Sequence, residues 1–311
     1  MNISILDKLV AGTGALLFSM SVLSSTPDPT PDPDPDPVPA PCEVDCDFTR
    51  GPDPTASYME AESGPYSVST VPFSYYEVSG FGGGTIHYPT NTTGTMGAIA
   101  IVPGFLAYES SIAWWGPRLA SHGFVVITIS TNNSLDDPSS RAIQQENALN
   151  FVINQSNDAS SPIFGMVDST RVGGMGWSMG GGGTLETATG TRLSAAIPLA
   201  PYYSSINDFD QIETPTMIIA CEFDGVAGVA YHASPFYNSI PETTDKAYLE
   251  VSGGGHWCAN GGDANDGLLG KQGVSWMKRF IDKDTRYDQF LCGPDHAGNS
   301  AISEYRDTCN Y

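Results

Sequence analysis

The residues most able to do chemistry together are one serine, one histidine and one acid, all in the second half of the chain. Ser178 lies in Gly176-Trp177-Ser178-Met179-Gly180, a G-x-S-x-G segment that follows the apolar run Arg171–Gly176 and precedes Gly181-Gly182-Gly183. A serine at such a strand-to-helix turn needs small residues two before and two after it, because side chains there would clash with the neighbouring backbone. The helix that follows would aim main-chain N–H groups at a developing negative charge. A G-x-S-x-G match alone is weak; here it stands in the strand–turn–helix context that nucleophilic catalysis requires. The competing reading is a glycine-rich connection bearing a surface serine.

A serine nucleophile needs a general base and an orienting acid. Of the five histidines, His87 falls inside a strand pattern and His122 closes a helix before Gly123. His232 opens a helix, and His296 lies in the polar carboxyl-terminal region. His256 follows a strand and the turn Ser252-Gly253-Gly254-Gly255, the place for a base carried on a loop. For the acid, the apolar segment Thr216–Cys221 runs into Glu222-Phe223-Asp224. Asp224 stands just past that strand and is the expected partner of the imidazole, with Glu222 pointing away from it. The oxyanion donors expected are the N–H of Met179 and that of Phe105, the latter on the loop Val102-Pro103-Gly104-Phe105. The Phe105 ring would then be free to line the cleft.

These groups must be positioned by a regular scaffold. Apolar runs bounded by turns predict strands over 67–78, 84–88, 97–102, 123–130, 171–176, 195–199, 216–221 and 247–251. Helical patterns fall between them at 111–121, 139–153, 179–187, 231–238 and 268–281. In the last, Val274, Met277, Phe280 and Ile281 recur at helical spacing and should face a sheet. Alternating strands and helices predict an α/β fold with a mostly parallel sheet covered on both faces, its first strands antiparallel. This is the strand inventory of an α/β-hydrolase, whose order of serine, acid and histidine matches Ser178, Asp224 and His256. No insertion long enough to form a lid interrupts the pattern.

Charge and composition bound the rest. The 311 residues carry 13 Lys+Arg against 35 Asp+Glu, a formal charge of −22, which excludes general attraction to nucleic acid or to an anionic membrane. An apolar content of 40% supplies a large core. Residues 1–25 read as a secretory signal: the apolar run from Leu9 to Leu23 is shorter than a membrane span of roughly 20 residues, and Val22 and Ser24 precede a cut near Thr26. Residues 26–49 form a spacer in which proline alternates with aspartate from Pro27 to Pro37, stiff and extended, with a Cys pair behind it. One catalytic domain over 50–311 follows. Export makes disulfides the expectation for the six cysteines, though the count alone allows 15 connectivities. If the loops of Asp224 and His256 meet, Cys221 and Cys258 come together; Cys292 and Cys309 would then pin the tail, and Cys42 and Cys46 would close a small loop. The competing zinc reading lacks the ligand spacings. Neither a metal nor a cofactor is expected.

Four segments carry a closer resemblance: 176–183 (GWSMGGGG), 112–124 (IAWWGPRLASHGF), 137–141 (DPSSR) and 276–280 (WMKRF). Together they resemble the bacterial cutinase-like polyester hydrolases, including the poly(ethylene terephthalate) hydrolases, over essentially residues 50–311. The resemblance implies a lidless α/β-hydrolase with an open groove, Ser178, Asp224 and His256 as its triad, and Phe105 and Met179 as oxyanion donors. It likewise implies that Cys221 and Cys258 form the additional disulfide of one subgroup, and that Trp177 is an aromatic wall for an acyl group. The chain departs from the family at Phe105, where tyrosine is common, and at Tyr202, where a mobile tryptophan is frequent. It departs again at Trp257, where the most active members carry a small residue, so Trp257 would narrow the groove. The function implied is a secreted, monomeric serine carboxylesterase for polyesters. A lipase for long-chain triglycerides and a non-catalytic adhesion module are the competing readings.

A neutral ester substrate makes little use of the protein's charge. We therefore expect p-nitrophenyl butyrate turnover to change less than about twofold between low salt and 1 M NaCl, where the screening length falls to about 3 Å; a steep loss with salt would point to electrostatic steering.

Overall fold

The computed structural model describes residues 48–204, 208–262 and 265–309, so the segment read as signal and spacer, with Cys42 and Cys46, lies outside the described residues. Nine strands form a single sheet: β1 (Val68–Phe73), β2 (Gly84–Pro89), β3 (Met96–Val102), β4 (Val125–Ile129), β5 (Val167–Trp177), β6 (Ala195–Leu199), β7 (Thr216–Cys221), β8 (Lys246–Val251) and β9 (Ile302–Asp307). Their spatial order is β1-β2-β4-β3-β5-β6-β7-β8-β9. The central strands β4-β3-β5-β6-β7-β8 are mutually parallel, whereas β1, β2 and β9 pair antiparallel at the two edges. Parallel strands need crossovers, which the helices supply. These are α2 (Trp115–Ala120), α3 (Pro138–Asn157), α4 (Met179–Ala188) and α5 (Ala233–Ser239), whereas α1 (Ala56–Glu60) precedes β1 and α6 (Asp266–Ile281) and α7 (Asp288–Leu291) lie between β8 and the antiparallel β9.

The elements begin and end for local reasons. Helix α3 starts where Asp137 accepts from the N–H of Ser140 and Pro138 occupies the first turn, a capped start that the sequence reading placed one residue later. Helix α6 lays Val274, Met277 and Ile281 on the sheet, all essentially without exposure. Room for them comes from Gly97 and Gly173: a Cβ at Gly97 would stand 2.2 Å from Ile281, and one at Gly173 would stand 2.7 Å from the same side chain. The core has two halves, one on each side of the sheet. Met59, Trp115, Leu119, Val274 and Met277 fill one, and Leu149, Val152, Leu185 and Phe236 fill the other. Strand β9 and the short helices α1 and α7 are not marked in the sequence pattern. β9 is a polar edge strand with half its residues exposed, and α1 has five residues, too few for a readable period.

Buried charge gathers at the amino-terminal half of the central strand β5. Arg171, near the start of β5, bonds Asp168 at 3.0 Å and Asp282 at 2.7 Å, and Lys278 reaches the other oxygen of Asp282 at 2.7 Å. Phe48 lies over the Arg171 guanidinium, 3.7 Å from its ring centre, and Arg50 donates to the carbonyl of Thr95. The first described residues are therefore fastened at the end of β5 opposite the one that leads into Ser178.

Two buried histidines make the fold acid-sensitive. Burial pushes the pKa of His87 down to about 4. Burial, with Arg118 and Lys278 nearby, pushes that of His122 down to about 3. Unfolded, each imidazole takes up a proton near pH 6.5; folded, it does so only as pH approaches 4 or 3. Stability is thus fully present above about pH 6.5 and falls as the solution is acidified. We expect denaturant midpoints to drop between pH 7 and pH 5, and the drop to be shallower in His122→Gln; an unchanged slope would assign the effect to other groups.

Candidate active site

Ser178 sits between β5 and α4 with φ 56° and ψ −120°, a conformation that a non-glycine residue adopts at a cost of about 1–3 kcal/mol. The corner is held by main-chain contacts that side chains would forbid. A Cβ on Gly176 would stand 2.2 Å from the carbonyl oxygen of Gly180, and one on Gly180 would stand 2.3 Å from that of Val102. The G-x-S-x-G spacing is thus the sequence form of a three-way backbone approach between β5, α4 and the loop after β3. Further along, a Cβ on Gly183 would lie 2.8 Å from the carbonyl oxygen of Pro138, so the glycine run also lets α3 close against α4.

Asp224 and His256 sit beyond the carboxyl ends of β7 and β8, the strands that follow β6 across the sheet from β5. The His256 Nε2 lies 2.9 Å from Ser178 Oγ, and Nδ1 lies 2.7 Å from Asp224 Oδ2. All three side chains are at least nine-tenths buried. The second oxygen of Asp224 accepts from the N–H groups of Val226 (2.8 Å) and Ala227 (2.7 Å). Burial disfavours the Asp224 carboxylate. The His256 hydrogen bond and these two N–H groups outweigh it, and its pKa is held below the ordinary value. The carboxylate is therefore charged at neutral pH and fixes the Nδ1–H tautomer of His256, leaving Nε2 to accept from the serine hydroxyl.

The two loops are bound to each other. Cys221 and Cys258 form a disulfide with Cα atoms 6.0 Å apart. The N–H of Phe223 donates to the carbonyl of Gly254 at 2.7 Å. Glu222 makes no contact with the imidazole: its carboxylate accepts from the N–H of Gly253 at 2.7 Å and so braces the glycine turn before His256. Both Trp114 and Trp115 donate their indole N–H to the carbonyl of Ala259, at 3.1 and 3.0 Å. Cys292 and Cys309 form a second disulfide, which joins the end of α7 to the residues after β9.

The N–H groups of Phe105 and Met179 face no competing acceptor: among the described residues neither donates a hydrogen bond. Trp177 is not the exposed ring at the mouth of the site. Trp177 is only 2% exposed, its indole N–H donates to the carbonyl of His256 at 2.9 Å, and the ring of Trp257 covers it with centroids 4.2 Å apart. The exposed rings beside the triad are those of Trp257, 60% exposed, and Phe105, 44% exposed. Trp177 stood beside the nucleophile in sequence, but the last residue of a central strand turns inward. Tyr202 is half-buried, its ring 4.8 Å from that of His232, and its N–H donates to the carbonyl of Ser178 at 2.9 Å.

A buried serine, imidazole and carboxylate in consecutive hydrogen-bond contact, carried on loops at the carboxyl ends of parallel strands, define a serine hydrolase of the α/β-hydrolase fold. The chain further matches the PET hydrolase-like family over residues 43–310, and it belongs to that family. It is 50% identical to the cutinase est2 of Thermobifida alba over 266 residues, 85% of this chain and 86% of the relative. It is 49% identical to a bis(hydroxyethyl) terephthalate hydrolase of Streptomyces coelicolor over 268 residues, 86% and 83% of the two chains. A cutinase of Thermobifida fusca is similar at 50% identity over 85% of this chain and 86% of its own.

The disulfide between the two loops closes a segment with a sequence separation of 37 residues. Loop-closure entropy for such a segment is worth at most about 4 kcal/mol. The double variant Cys221→Ser/Cys258→Ser is expected to melt on the order of 10 °C lower, while kcat at 20 °C stays within about threefold because Glu222, Phe223 and the two tryptophans still hold the loops. Unchanged melting would mean that those bonds alone suffice.

Proposed function

We propose that the protein hydrolyses ester bonds of polyesters, aliphatic and aromatic, through an acyl-enzyme formed on Ser178. The observation that carries this reading is the unbroken relay from Asp224 through His256 to Ser178 Oγ, with neither gap longer than 2.9 Å. In the first half-reaction Ser178 Oγ attacks the ester carbonyl carbon while His256 Nε2 takes its proton. The tetrahedral oxyanion is held by the N–H groups of Met179 and Phe105. Its collapse breaks the ester C–O bond, and the imidazolium returns the proton to the leaving alcohol. Water then attacks the acyl-enzyme with His256 again as base, releasing the carboxylic acid and restoring Ser178. Asp224 keeps its charge throughout and stabilises the imidazolium.

Support for a polymeric, apolar substrate comes from the surface around the triad. Phe105, Leu106, Phe223, Val226 and Trp257 are all strongly exposed, and each is an oxyanion or triad residue or lies within two positions of one. An apolar chain laid across the mouth would cover them, whereas a soluble substrate has no need of so much apolar surface. The names of the relatives, cutinase and bis(hydroxyethyl) terephthalate hydrolase, agree with this substrate class. Export is proposed on the signal-like 1–25 segment and on two disulfides, which persist in oxidising surroundings. No described helix is long and apolar enough to cross a membrane. A spacer expected over residues 26–49 is proposed to end before Phe48, since Phe48 packs on Arg171 of the catalytic domain, and that domain is proposed to work as a monomer.

Ser178→Ala is expected to fold with unchanged circular dichroism and to lose p-nitrophenyl butyrate hydrolysis by at least about 10⁴-fold. Wild-type enzyme should release soluble acids from polyester film in preference to fatty acid from emulsified trioleate. Retained turnover in the variant would sink the serine mechanism, and a preference for trioleate would favour the lipase reading.

A further inference from the structure

Arg141 is completely buried in the first turn of α3, yet its guanidinium is spent on main-chain carbonyls rather than on a carboxylate. Nη1 donates to the carbonyl of Pro103 at 2.9 Å, Nη2 to that of Ser134 at 2.9 Å, and Nε to that of Asp136 at 2.9 Å. A buried charge carries a heavy desolvation cost. A buried apolar residue would fill the same helix position without that cost, so the three bonds call for an account.

Their placement supplies one. Pro103 and Leu106 flank Gly104 and Phe105, the latter bearing the N–H read above as an oxyanion donor. The N–H of Leu106 donates to the carbonyl of Ser134 at 2.8 Å, and this is the carbonyl that Arg141 also holds. One end of the short loop is therefore bonded directly to the guanidinium, and the other end is bonded to it through Ser134. Leu106 is held at φ 54°, a left-handed conformation that the chain would leave if that bond were lost. The Pro103 carbonyl also points at the nucleophile corner, since a Cβ on Gly180 would stand 2.5 Å from it. A rotation of the 103–104 peptide would move Phe105 and disturb the Ser178 corner together. Few residues other than arginine present donors at the spread needed to reach three carbonyls on two loops; a lysine has one nitrogen.

We propose that Arg141 is a positioning residue for the oxyanion hole: by bracketing residues 103–106 it fixes the direction of the Phe105 N–H, although it touches neither substrate nor any triad side chain. The proposal rests on the reading of Phe105 as an oxyanion donor. Loss of one such donor lowers kcat by about 10²–10³ with little change in ground-state binding. The same loss should weaken a tetrahedral adduct that carries an oxyanion, and leave a planar or non-reacting competitor alone.

The test uses Arg141→Lys and Arg141→Met, each checked for folding by circular dichroism and melting. Measurements are kcat and KM for p-nitrophenyl butyrate, the inhibition constant of an alkyl trifluoromethyl ketone, and that of an alkyl ether of the same length. The expected result is a fall of about 10² in kcat with KM within about twofold, a parallel weakening of the ketone, and an unchanged ether. A folded variant that keeps kcat within about threefold overturns the proposal, and so does one in which KM and both inhibitors weaken together. Failure of both variants to fold also overturns it, in favour of a purely structural role. The underlying reading is tested separately, by a wild-type structure with the ketone bound. An adduct oxygen beyond hydrogen-bond reach of the Phe105 N–H would remove that reading, whatever Arg141 does.

Discussion

Backbone meeting backbone at the nucleophile corner is the constraint on which the rest of the molecule depends. Ser178 can hold a left-handed conformation because β5, α4 and the loop after β3 close on it from three sides at distances that exclude any Cβ at Gly176 or Gly180. That closeness constrains the Ser178 hydroxyl and the Met179 N–H together, so both belong to one tightly packed corner. The glycines here serve approach rather than freedom. They let carbonyl oxygens of neighbouring segments stand where side chains would ordinarily separate them, and they pass the geometry of the sheet to the reacting atoms without a flexible link.

The base and acid are organised on the opposite plan. They ride on loops, and loops are made firm by cross-ties: a disulfide from the residue ending β7 to the loop after β8, a carboxylate under the glycine turn, and two indole N–H groups converging on one carbonyl. Trp177 joins the two plans, since it ends the strand that carries Ser178 and donates to the carbonyl of His256. Its burial shows that a tryptophan beside a nucleophile can be a spacer between machinery and core, while the next aromatic along the base loop, Trp257, takes the exposed position.

How much of this the sequence displayed depended on range. Strand–turn–helix around Ser178 is local, and so was legible, as was the succession of strands that leaves Asp224 and His256 at loop positions. Long amphipathic or wholly apolar elements such as α6 and β7 announced themselves; β9 did not, because an edge strand facing solvent carries little apolar signal, and α1 is too short to show a period. The direction of a side chain at the end of a central strand was not legible either, which is why the wall was expected at Trp177. Least visible were groups whose partners are carbonyls. Arg141 and Glu222 look in sequence like ordinary surface charges, and only the folded chain reveals that one spans two loops and the other supports a turn.

The fastening of Phe48 and Arg50 gives the molecule a polarity. Arg171 stands near the start of β5 and Ser178 just past its end, seven residues on, which along a strand is roughly 20 Å. The described chain therefore begins at the pole remote from the serine, clamped there by an aromatic–guanidinium contact and a buried ion network. The exposed rings of Phe105 and Trp257 stand at the other pole, so a load applied at Phe48 meets the buried ion network of Arg171 before it meets the serine.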